Sequence, residues 1–327
     1  MLRYIQRTET DPYYNLAAEE YLLKSATVDT FMTWRNEPSV IVGKHQNTLK
    51  EINPSFIETN NLPVIRRITG GGAVYHDPGN INFSFIYTGR KENLVDFREF
   101  TTPMILFLQT LGLNASFEGK NNITVDGLKV SGNSAHIFKN KVLHHGTLLF
   151  NTDLNRLDQA IAGREDFFHD KAVKSVRATV ANINDLLKEK ITVDTFVGMF
   201  RDFIFKKYKD AYFDDLNLKE KEAIRVLAED KYKTYQWNFG YSPEYTYHTE
   251  WEMLDGKWAI SLFVKEGIIV KSELSGPHHY SILLKKITNT FTGAFHEKKS
   301  LSERLKKLTF ADEKEKDIVN QIVDHLF

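Results

Sequence analysis

The apolar positions along the chain follow two periods, and each predicts a different kind of element. Residues 80–87 alternate apolar and polar side chains, which is typical of a half-buried strand. Residues 192–208 place apolar side chains three and four positions apart, which predicts a helix with one face in the core. Pro103 to Leu111, followed by Gly112, predicts another helix. Strands and helices are therefore both expected.

Beyond Pro243, three strands and then three helices are predicted. The strands lie at 251–254, 258–264 and 268–274, with a turn at Asp255–Gly256, and the helices lie at 278–289, 300–308 and 312–326. A run of strands followed by a run of helices indicates a small α+β unit with its own core. We therefore predict a boundary near residues 241–248, which separates a large domain over 1–243 from a small domain over 247–327.

Three consecutive glycines, Gly70 to Gly72, follow Arg66 and Arg67 between two short apolar segments. Glycines lack a Cβ, so the backbone can lie against a ligand and offer its N–H groups. With an arginine beside them, the expected guest is an anion, and phosphate fits best. The spacing matches neither a P-loop nor a dinucleotide-binding fingerprint. The structural alternative is a glycine-rich hairpin with two surface arginines.

The dipeptide Asp126–Gly127 lies between alternating apolar positions and predicts a two-residue β-hairpin. The predicted pairs are Val125 with Leu128, Thr124 with Lys129, and Ile123 with Val130. The four aliphatic side chains would then share one face and Lys129 would lie on the other. A single cation on a rigid strand suits a catalytic group, although an ordinary outward-facing lysine is the alternative.

Composition narrows the function classes. The 327 residues include 43 basic residues (Lys and Arg) and 43 acidic residues (Asp and Glu), so the formal net charge is zero. A net charge of zero favours neither nucleic acid nor membrane partners. Apolar runs are too short to span a bilayer, and the N-terminus resembles no signal peptide, so we predict a cytoplasmic protein. The chain has no cysteine, which excludes disulfides and thiolate nucleophiles.

Three histidines, His136, His144 and His145, raise the alternative of a zinc site. No carboxylate lies at metalloenzyme spacing, and no His-Glu-x-x-His motif occurs in the sequence. We therefore do not predict a protein-bound zinc ion.

Residues 66–80 read Arg-Arg-x-Thr-Gly-Gly-Gly-Ala-Val-Tyr-His-Asp-x-Gly-Asn. This segment resembles the signature of the lipoate–protein ligase A family. The match continues in family order through Gly119–Asn122, Lys129–Gly132, His144–Leu149, Ser175–Arg177 and Trp237–Gly240. It covers about residues 15 to 243, and the small C-terminal domain resembles the accessory domain of the longer members.

The resemblance implies an α/β (α+β) fold: a biotin/lipoate-ligase-like catalytic domain with a mixed β-sheet and flanking helices. It also implies an enzyme that converts lipoate and ATP with Mg²⁺ to lipoyl-AMP and pyrophosphate. The lipoyl group then passes to a lysine of a lipoyl domain, in 2-oxoacid dehydrogenase complexes or in the glycine cleavage H protein. We expect a monomer.

The family also implies roles for individual residues. Lys129 would be the catalytic residue that contacts both lipoate and the α-phosphate. ATP or its adenylate would be bound by Arg67, Gly72, Ala73, Val74, Tyr75 and Lys129, with further candidate contacts at Gly71, His76, Asn122, Ala135 and His145. Val42, Val74 and Ala135 would line an apolar slot for lipoate, and residues 171–180 would form a mobile loop over the adenylate.

Magnesium would reach the site on the ATP phosphates. Asn122 is the candidate residue for the Mg-phosphate region. The chain has Lys-Asn-Asn at 120–122 where some family members have Arg-Asn-Asp, so a carboxylate is missing and the sequence assigns no protein ligand to the metal.

Several other functions remain as alternatives. Octanoyltransferases and lipoyl amidotransferases of the same superfamily use a cysteine nucleophile, which this chain lacks. Biotin–protein ligases usually carry Gly-Arg-Gly-Arg where this chain has Thr69–Gly72. The protein could also be a lipoyl-AMP-dependent lipoyltransferase, or a non-catalytic paralogue that binds adenylate or lipoyl domains. The presence of Arg67 and Lys129 argues against the non-catalytic reading.

Overall fold

The computed structural model describes residues 1–89, 95–175, 178–253 and 256–327. The chain divides into two compact units, and both are discontinuous in sequence. The larger unit contains residues 1–44, 62–161 and 175–234, and the smaller unit contains residues 45–61, 162–174 and 235–327. The predicted domain ranges of 1–243 and 247–327 stay a prediction.

The elements are numbered in chain order. The strands are β1 Leu2–Gln6, β2 Asp29–Trp34, β3 Ser39–Val42, β4 Val64–Arg66, β5 Val74–His76, β6 Asn80–Tyr87, β7 Ala115–Glu118, β8 Asn122–Val125, β9 Leu128–Phe138, β10 Lys141–Leu149, β11 Phe168–Asp170, β12 Ala211–Phe213, β13 Tyr245–Met253, β14 Gly256–Lys265 and β15 Ile268–Ser275. The α-helices are α1 Pro12–Ser25, α2 Thr48–Glu51, α3 Pro54–Thr59, α4 Phe97–Thr110, α5 Leu154–Ala160, α6 Ile183–Leu186, α7 Val193–Lys207, α8 Leu218–Leu227, α9 Ser281–Phe291, α10 Lys298–Leu305 and α11 Glu313–Leu326.

A mixed eight-stranded sheet forms the centre of the larger unit, in the order β12-β1-β2-β6-β10-β9-β8-β7. β1 runs parallel to both β2 and β12, and the other neighbours are antiparallel. Side chains of α4 and α7 join the inward-facing residues of the sheet in one core. The stripe predicted on α7 is buried there through Phe196, Phe200 and Ile204. The predicted fold class, a mixed sheet with flanking helices, is confirmed.

A second sheet of the larger unit, ordered β4-β3-β5, carries the glycine run between β4 and β5. β3 pairs in parallel with β4 and antiparallel with β5. Arg66, at the end of β4, has no exposed surface and donates from Nη1 to the carbonyls of Gly43 and Lys44. Arg66 is therefore a buried part of the framework under the glycine run, not a surface cation.

The β8–β9 hairpin differs from its prediction at one position. Val125 pairs with Leu128 and Thr124 with Lys129 as predicted, but Ile123 pairs with Ser131. Val130 is an extra residue, and the ladder has a β-bulge there. Ser131 pairs with the core residue Ile123, so Val130 and Ser131 are consecutive residues on the same side of the sheet, where a regular strand would alternate.

Helix α4 begins earlier than predicted. The sequence predicts a start at Pro103, but the helix starts at Phe97 after the N-cap Asp96, whose carboxylate accepts from the backbone N–H groups of Arg98 and Glu99. Pro103 lies inside the helix and is buried. Its missing N–H removes one hydrogen bond from the helix.

The smaller unit has an antiparallel sheet in the order β11-β13-β14-β15, and α9, α10 and α11 belong to the same unit. The three predicted strands and three helices are found, although the first strand, β13, begins six residues earlier than the predicted start at Trp251. The predicted turn residue Asp255 lies outside the described residues. Within the described ranges, no helix is both long and apolar enough to cross a membrane.

Two histidines of the larger unit are buried as neutral rings. His144 lies between the rings of Phe97 and Phe100, with centroids 5.3 and 4.7 Å away. Burial lowers the pKa of His144 and that of His76 to about 3. Both rings accept a proton near pH 6.5 in the unfolded chain but stay neutral in the folded one. The unfolded state therefore binds more protons below that pH.

The free energy of unfolding is accordingly expected to fall as pH drops from 6.5 towards 3. The variant His144→Phe removes one of these titrating rings and keeps an aromatic side chain between Phe97 and Phe100. Between pH 6.5 and 5 it should lose roughly 1.5 kcal/mol less stability than the native chain. Urea unfolding at both pH values measures this difference, and equal losses in the two proteins would contradict the assignment.

Candidate functional site

The guanidinium of Arg67 holds the glycine loop, residues 70–73, by hydrogen bonds. Arg67 is 6% exposed, and burial lowers its pKa to about 10, so it stays charged at neutral pH. Its hydrogen bonds run from Nε to Thr69 Oγ1 at 3.0 Å, from Nη1 to Ile41 O at 3.2 Å, and from Nη2 to Gly70 O at 2.6 Å and Gly72 O at 2.8 Å. The arginine therefore fixes the loop through its carbonyls.

Fixing the carbonyls also sets the direction of the loop amides. The C=O and N–H of one planar trans peptide point in opposite directions. With Gly72 O bound to Arg67, the N–H of Ala73 must point away from that arginine. It donates to Ser175 Oγ at 3.0 Å. An oxygen therefore already lies at the place where the sequence predicts a phosphate contact.

Two glycines allow close approaches at this loop. A Cβ on Gly72 would lie 2.9 Å from Ser175 Oγ. A Cβ on Gly43, just after β3, would lie 2.0 Å from Gly71 O, and Gly71 itself has φ +90°. A side chain at either position would displace a neighbouring group, and at Gly43 that group is backbone.

The main chain of Lys129 is hydrogen-bonded to residues 179–181 in addition to its pairing within the hairpin. Its N–H donates to Thr179 O at 3.1 Å, and its carbonyl accepts from Ala181 N–H at 3.0 Å. Its side chain is half-buried and passes Gly132, with Nζ 3.4 Å from where a Cβ would stand. Burial lowers the pKa of the ammonium. Among the described residues, no hydrogen bond or ion pair holds this ammonium.

The sheet brings Lys129 and the glycine loop together. Ser134, two residues after Gly132 on β9, donates from Oγ to Gly70 O at 3.0 Å. Two residues of a strand span about 7 Å and lie on the same face, so the ammonium beside Gly132 is about one such span from the serine that holds the loop. On β10, His145 Nε2 lies 2.8 Å from Thr69 Oγ1. A partly desolvated cation and a row of oriented backbone amides thus share one place, which suits the binding of an anion.

The other predicted site residues differ in how far they are buried. Tyr75 and Val42 are buried, whereas Val74, Ala135 and Asn122 are half-buried. Their predicted contacts with substrate stay predictions.

His76 is enclosed in the protein. Its Nδ1 lies 3.1 Å from Asn36 Nδ2, and its ring packs edge-on against Trp34 at 5.8 Å. The predicted contact of His76 with a nucleotide stays a prediction.

Part of the predicted loop over the adenylate falls outside the described residues. Val176 and Arg177 belong to that part, whereas Ser175 contacts the glycine loop and Thr179 to Ala181 pair with Lys129. The predicted mobility of residues 171–180 stays a prediction. Within the described ranges, no group of three or more His, Asp or Glu side chains is arranged to hold a metal ion.

Sequence reasoning missed Glu19, a fully buried carboxylate on α1. Its Oε1 accepts from Ser84 Oγ at 2.5 Å and from His145 Nδ1 at 2.8 Å. A signal was available, because Glu19 directly follows the apolar residues Leu16, Ala17 and Ala18 of the predicted helix. An acid on the buried side of a helix needs a polar partner elsewhere in the fold.

The chain matches two protein-family descriptions. Residues 11–204 match the lipoyl protein ligase A/B catalytic domain, and residues 242–326 match the bacterial lipoate protein ligase C-terminus. The chain is 38% identical over 298 residues to lipoate–protein ligase 1 of Staphylococcus aureus strain Mu50, which covers 90% of each chain.

Two solved structures share the fold of the larger part of the chain. One is a bi-partite lipoate protein ligase, studied with its E2 lipoyl domain, from Thermoplasma acidophilum. It is 29% identical, has a TM-score of 0.63, and covers 73% of this chain and 96% of its own. The other is a lipoate-protein ligase A bound with ATP, at 25% identity and a TM-score of 0.62, covering 73% of this chain and 98% of its own.

These matches confirm the predicted family and the prediction of a ligase in place of a cysteine-dependent acyltransferase. The catalytic-domain match covers more than half of the chain and includes both the glycine loop and Lys129. The chain belongs to the lipoyl protein ligase A/B family.

Proposed function

We propose that this protein is an ATP-dependent lipoate–protein ligase that works in two steps. Lipoate carboxylate attacks the α-phosphorus of ATP, which forms lipoyl-AMP and releases pyrophosphate. The amine of an acceptor lysine then attacks the acyl carbon, and AMP leaves. The observation that carries this proposal is the ammonium of Lys129 on the same strand as Ser134, which binds the glycine loop with its oriented amides. Both steps develop charge on phosphate oxygens, which such groups stabilise.

In this proposal Lys129 is the catalytic residue. Its ammonium lies between the lipoate carboxylate and the α-phosphate and stabilises negative charge as the new bond forms. The N–H groups of Ala73 and its neighbours Gly72, Val74 and Tyr75 bind the phosphate of ATP or of the adenylate. The oxygen of Ser175 leaves Ala73 N–H when a phosphate oxygen takes its place.

The part of Arg67 differs from that of a simple phosphate-binding cation. Among the described residues, four of its five N–H groups donate to Thr69, Ile41, Gly70 and Gly72, and one stays available for a phosphate oxygen. Arg67 therefore acts chiefly through the shape of the glycine loop. An Arg67→Lys substitution would keep the charge and lose this fork of donors.

Magnesium enters as part of the substrate MgATP, with the phosphates as its ligands. Asn122, the first residue of β8, has a neutral amide oxygen. It stays the candidate residue for the Mg-phosphate region. Hard oxygen donors suit Mg²⁺, but a lone amide binds it weakly without the phosphates.

The proposed acceptors are lipoyl domains of 2-oxoacid dehydrogenase complexes and the glycine cleavage H protein. Support comes from the T. acidophilum relative, which was studied with its E2 lipoyl domain. A cytoplasmic location, a monomeric state and the absence of nucleic acid and membrane partners belong to the same proposal.

ATP-dependent lipoylation of purified acceptors tests the proposal. The purified chain is incubated with lipoate, MgATP and either an H protein or an E2 lipoyl domain, and the lipoyl mass increment on the acceptor is measured. We expect modification of at least one acceptor and lipoate-dependent release of pyrophosphate. Modification from preformed lipoyl-AMP but not from ATP would instead identify a lipoyltransferase, and preference for biotin in competition would identify a biotin–protein ligase.

A further inference from the structure

We infer that the hydroxyl of Thr69 is a positioning group for ATP: it connects the arginine under the glycine loop to the buried carboxylate of Glu19. We call the four residues Glu19, His145, Thr69 and Arg67 the Glu19 relay. The inference rests on the proposed function, because it assigns the relay to the nucleotide-binding part of that site.

The Glu19 relay is a continuous series of short contacts inside the larger unit. His145 Nδ1 lies 2.8 and 3.1 Å from the two carboxylate oxygens of Glu19. His145 Nε2 lies 2.8 Å from Thr69 Oγ1, and Arg67 Nε lies 3.0 Å from the same oxygen. The relay residues are all less than 9% exposed, so water does not compete strongly for these hydrogen bonds.

With a neutral imidazole at His145, the chemistry of the two ends fixes the direction of every hydrogen bond. A guanidinium can only donate, and a carboxylate can only accept. Arg67 Nε–H therefore donates to Thr69 Oγ1, the Thr69 hydroxyl donates to His145 Nε2, and His145 Nδ1–H donates to Glu19. Thr69 must accept from one neighbour and donate to the other. A hydroxyl does both, and a methyl group does neither.

The relay determines the orientation in which the Arg67 guanidinium binds the glycine loop. With Nε anchored on Thr69, the planar guanidinium has one orientation, and Nη2 then reaches both Gly70 O and Gly72 O. Loss of the Thr69 hydroxyl leaves a buried donor on Arg67 and an acceptor on His145 without partners. The guanidinium can then rotate towards other acceptors, and the amides of residues 71 and 73 lose their fixed direction. The Coulombic attraction between Glu19 and Arg67 favours the same arrangement.

Variants of Thr69 test the inference, with serine and alanine as the matched pair. Thr69→Ser keeps the hydroxyl, whereas Thr69→Ala differs from that variant by the oxygen alone, and Thr69→Val keeps the shape of threonine. Initial rates of lipoate-dependent pyrophosphate release give KM for ATP, KM for lipoate and kcat. We expect Thr69→Ala and Thr69→Val to raise the KM for ATP by about tenfold or more, and by more than the KM for lipoate. Thr69→Ser should stay near the native value.

A second measurement does not depend on activity. In ¹⁵N NMR of histidine-labelled protein, His145 should carry its proton on Nδ1, and the Nε2 resonance should move in Thr69→Ala but not in Thr69→Ser. Equal KM values for ATP in the alanine and serine variants, or an unchanged Nε2 resonance, would overturn the inference. If the native chain releases no pyrophosphate with lipoate, the proposed function fails, whereas the NMR result still decides the relay.

Discussion

Replacing Lys129 with alanine is expected to slow lipoate-dependent release of pyrophosphate by about a hundredfold or more. Lys129 is half-buried, its ammonium lies beside Gly132 on the strand that also carries Ser134, and the ammonium has no partner among the described residues. In the proposed reaction it is the cation that meets the developing phosphate charge, and loss of one such contact typically costs roughly 3 to 4 kcal/mol of barrier. Single-turnover release of pyrophosphate at saturating ATP and lipoate measures the effect on the chemical step.

Lys188→Ala is the matched control for this experiment, because Lys188 is an exposed lysine of the same unit. It should leave the rate of pyrophosphate release unchanged. Circular dichroism of both variants checks that the fold is retained. Release at a near-native rate by Lys129→Ala would remove Lys129 from the mechanism, even if the alanine variant binds ATP less tightly.

The second large effect is expected from Gly43→Ala. The new Cβ would lie 2.0 Å from Gly71 O and 3.3 Å from Arg67 Nη2. The nearer contact is with backbone, which cannot rotate away, so the glycine loop has to move. Displacement by about 1 Å can cost up to roughly a hundredfold in rate. We expect kcat/KM for ATP to fall by that order, with a loss of about 1–3 kcal/mol in the free energy of unfolding.

The control is the same substitution at Gly198 on α7, where a Cβ would meet no atom within 4 Å. Gly198→Ala should leave kcat/KM for ATP unchanged and raise the free energy of unfolding by about 0.5–1 kcal/mol. Urea unfolding and steady-state kinetics on the pair separate loop displacement from a general effect of replacing glycine. Equal kinetics in the two variants would show that Gly43 does not set the position of the loop.

Elements with short-range signals were predictable from the sequence. Asp11 caps α1 by accepting from Tyr13 N–H, and Asn217 with Glu220 forms the capping box of α8. The predicted turn at Asp126–Gly127 is present, and both of its residues have φ above +45°, a conformation that Asp and Gly adopt readily. In each case the deciding interactions lie within a few residues of one another.

The glycine loop and Lys129 were predictable as candidates, whereas their supports were not. Arg67 was expected to bind phosphate, yet four of its donors hold the protein itself. The contact between Glu19 and His145 joins residues 126 positions apart, and no local pattern specifies such a pairing. Long-range contacts of this kind depend on how the strands register, which hydrophobic periodicity leaves open.

The β-bulge at Val130 has a consequence for the number of residues between functional groups. Lys129 lies five positions before Ser134, an odd separation that a regular ladder would send to opposite sides of the sheet. Because of the extra residue, both side chains lie on the same side of the sheet. There the lysine side chain lies beside Gly132 and the serine hydroxyl donates to Gly70 O. A relative with an undistorted ladder could present the same two groups only at an even separation. An even interval between the same two groups in a relative would therefore predict a ladder without this bulge.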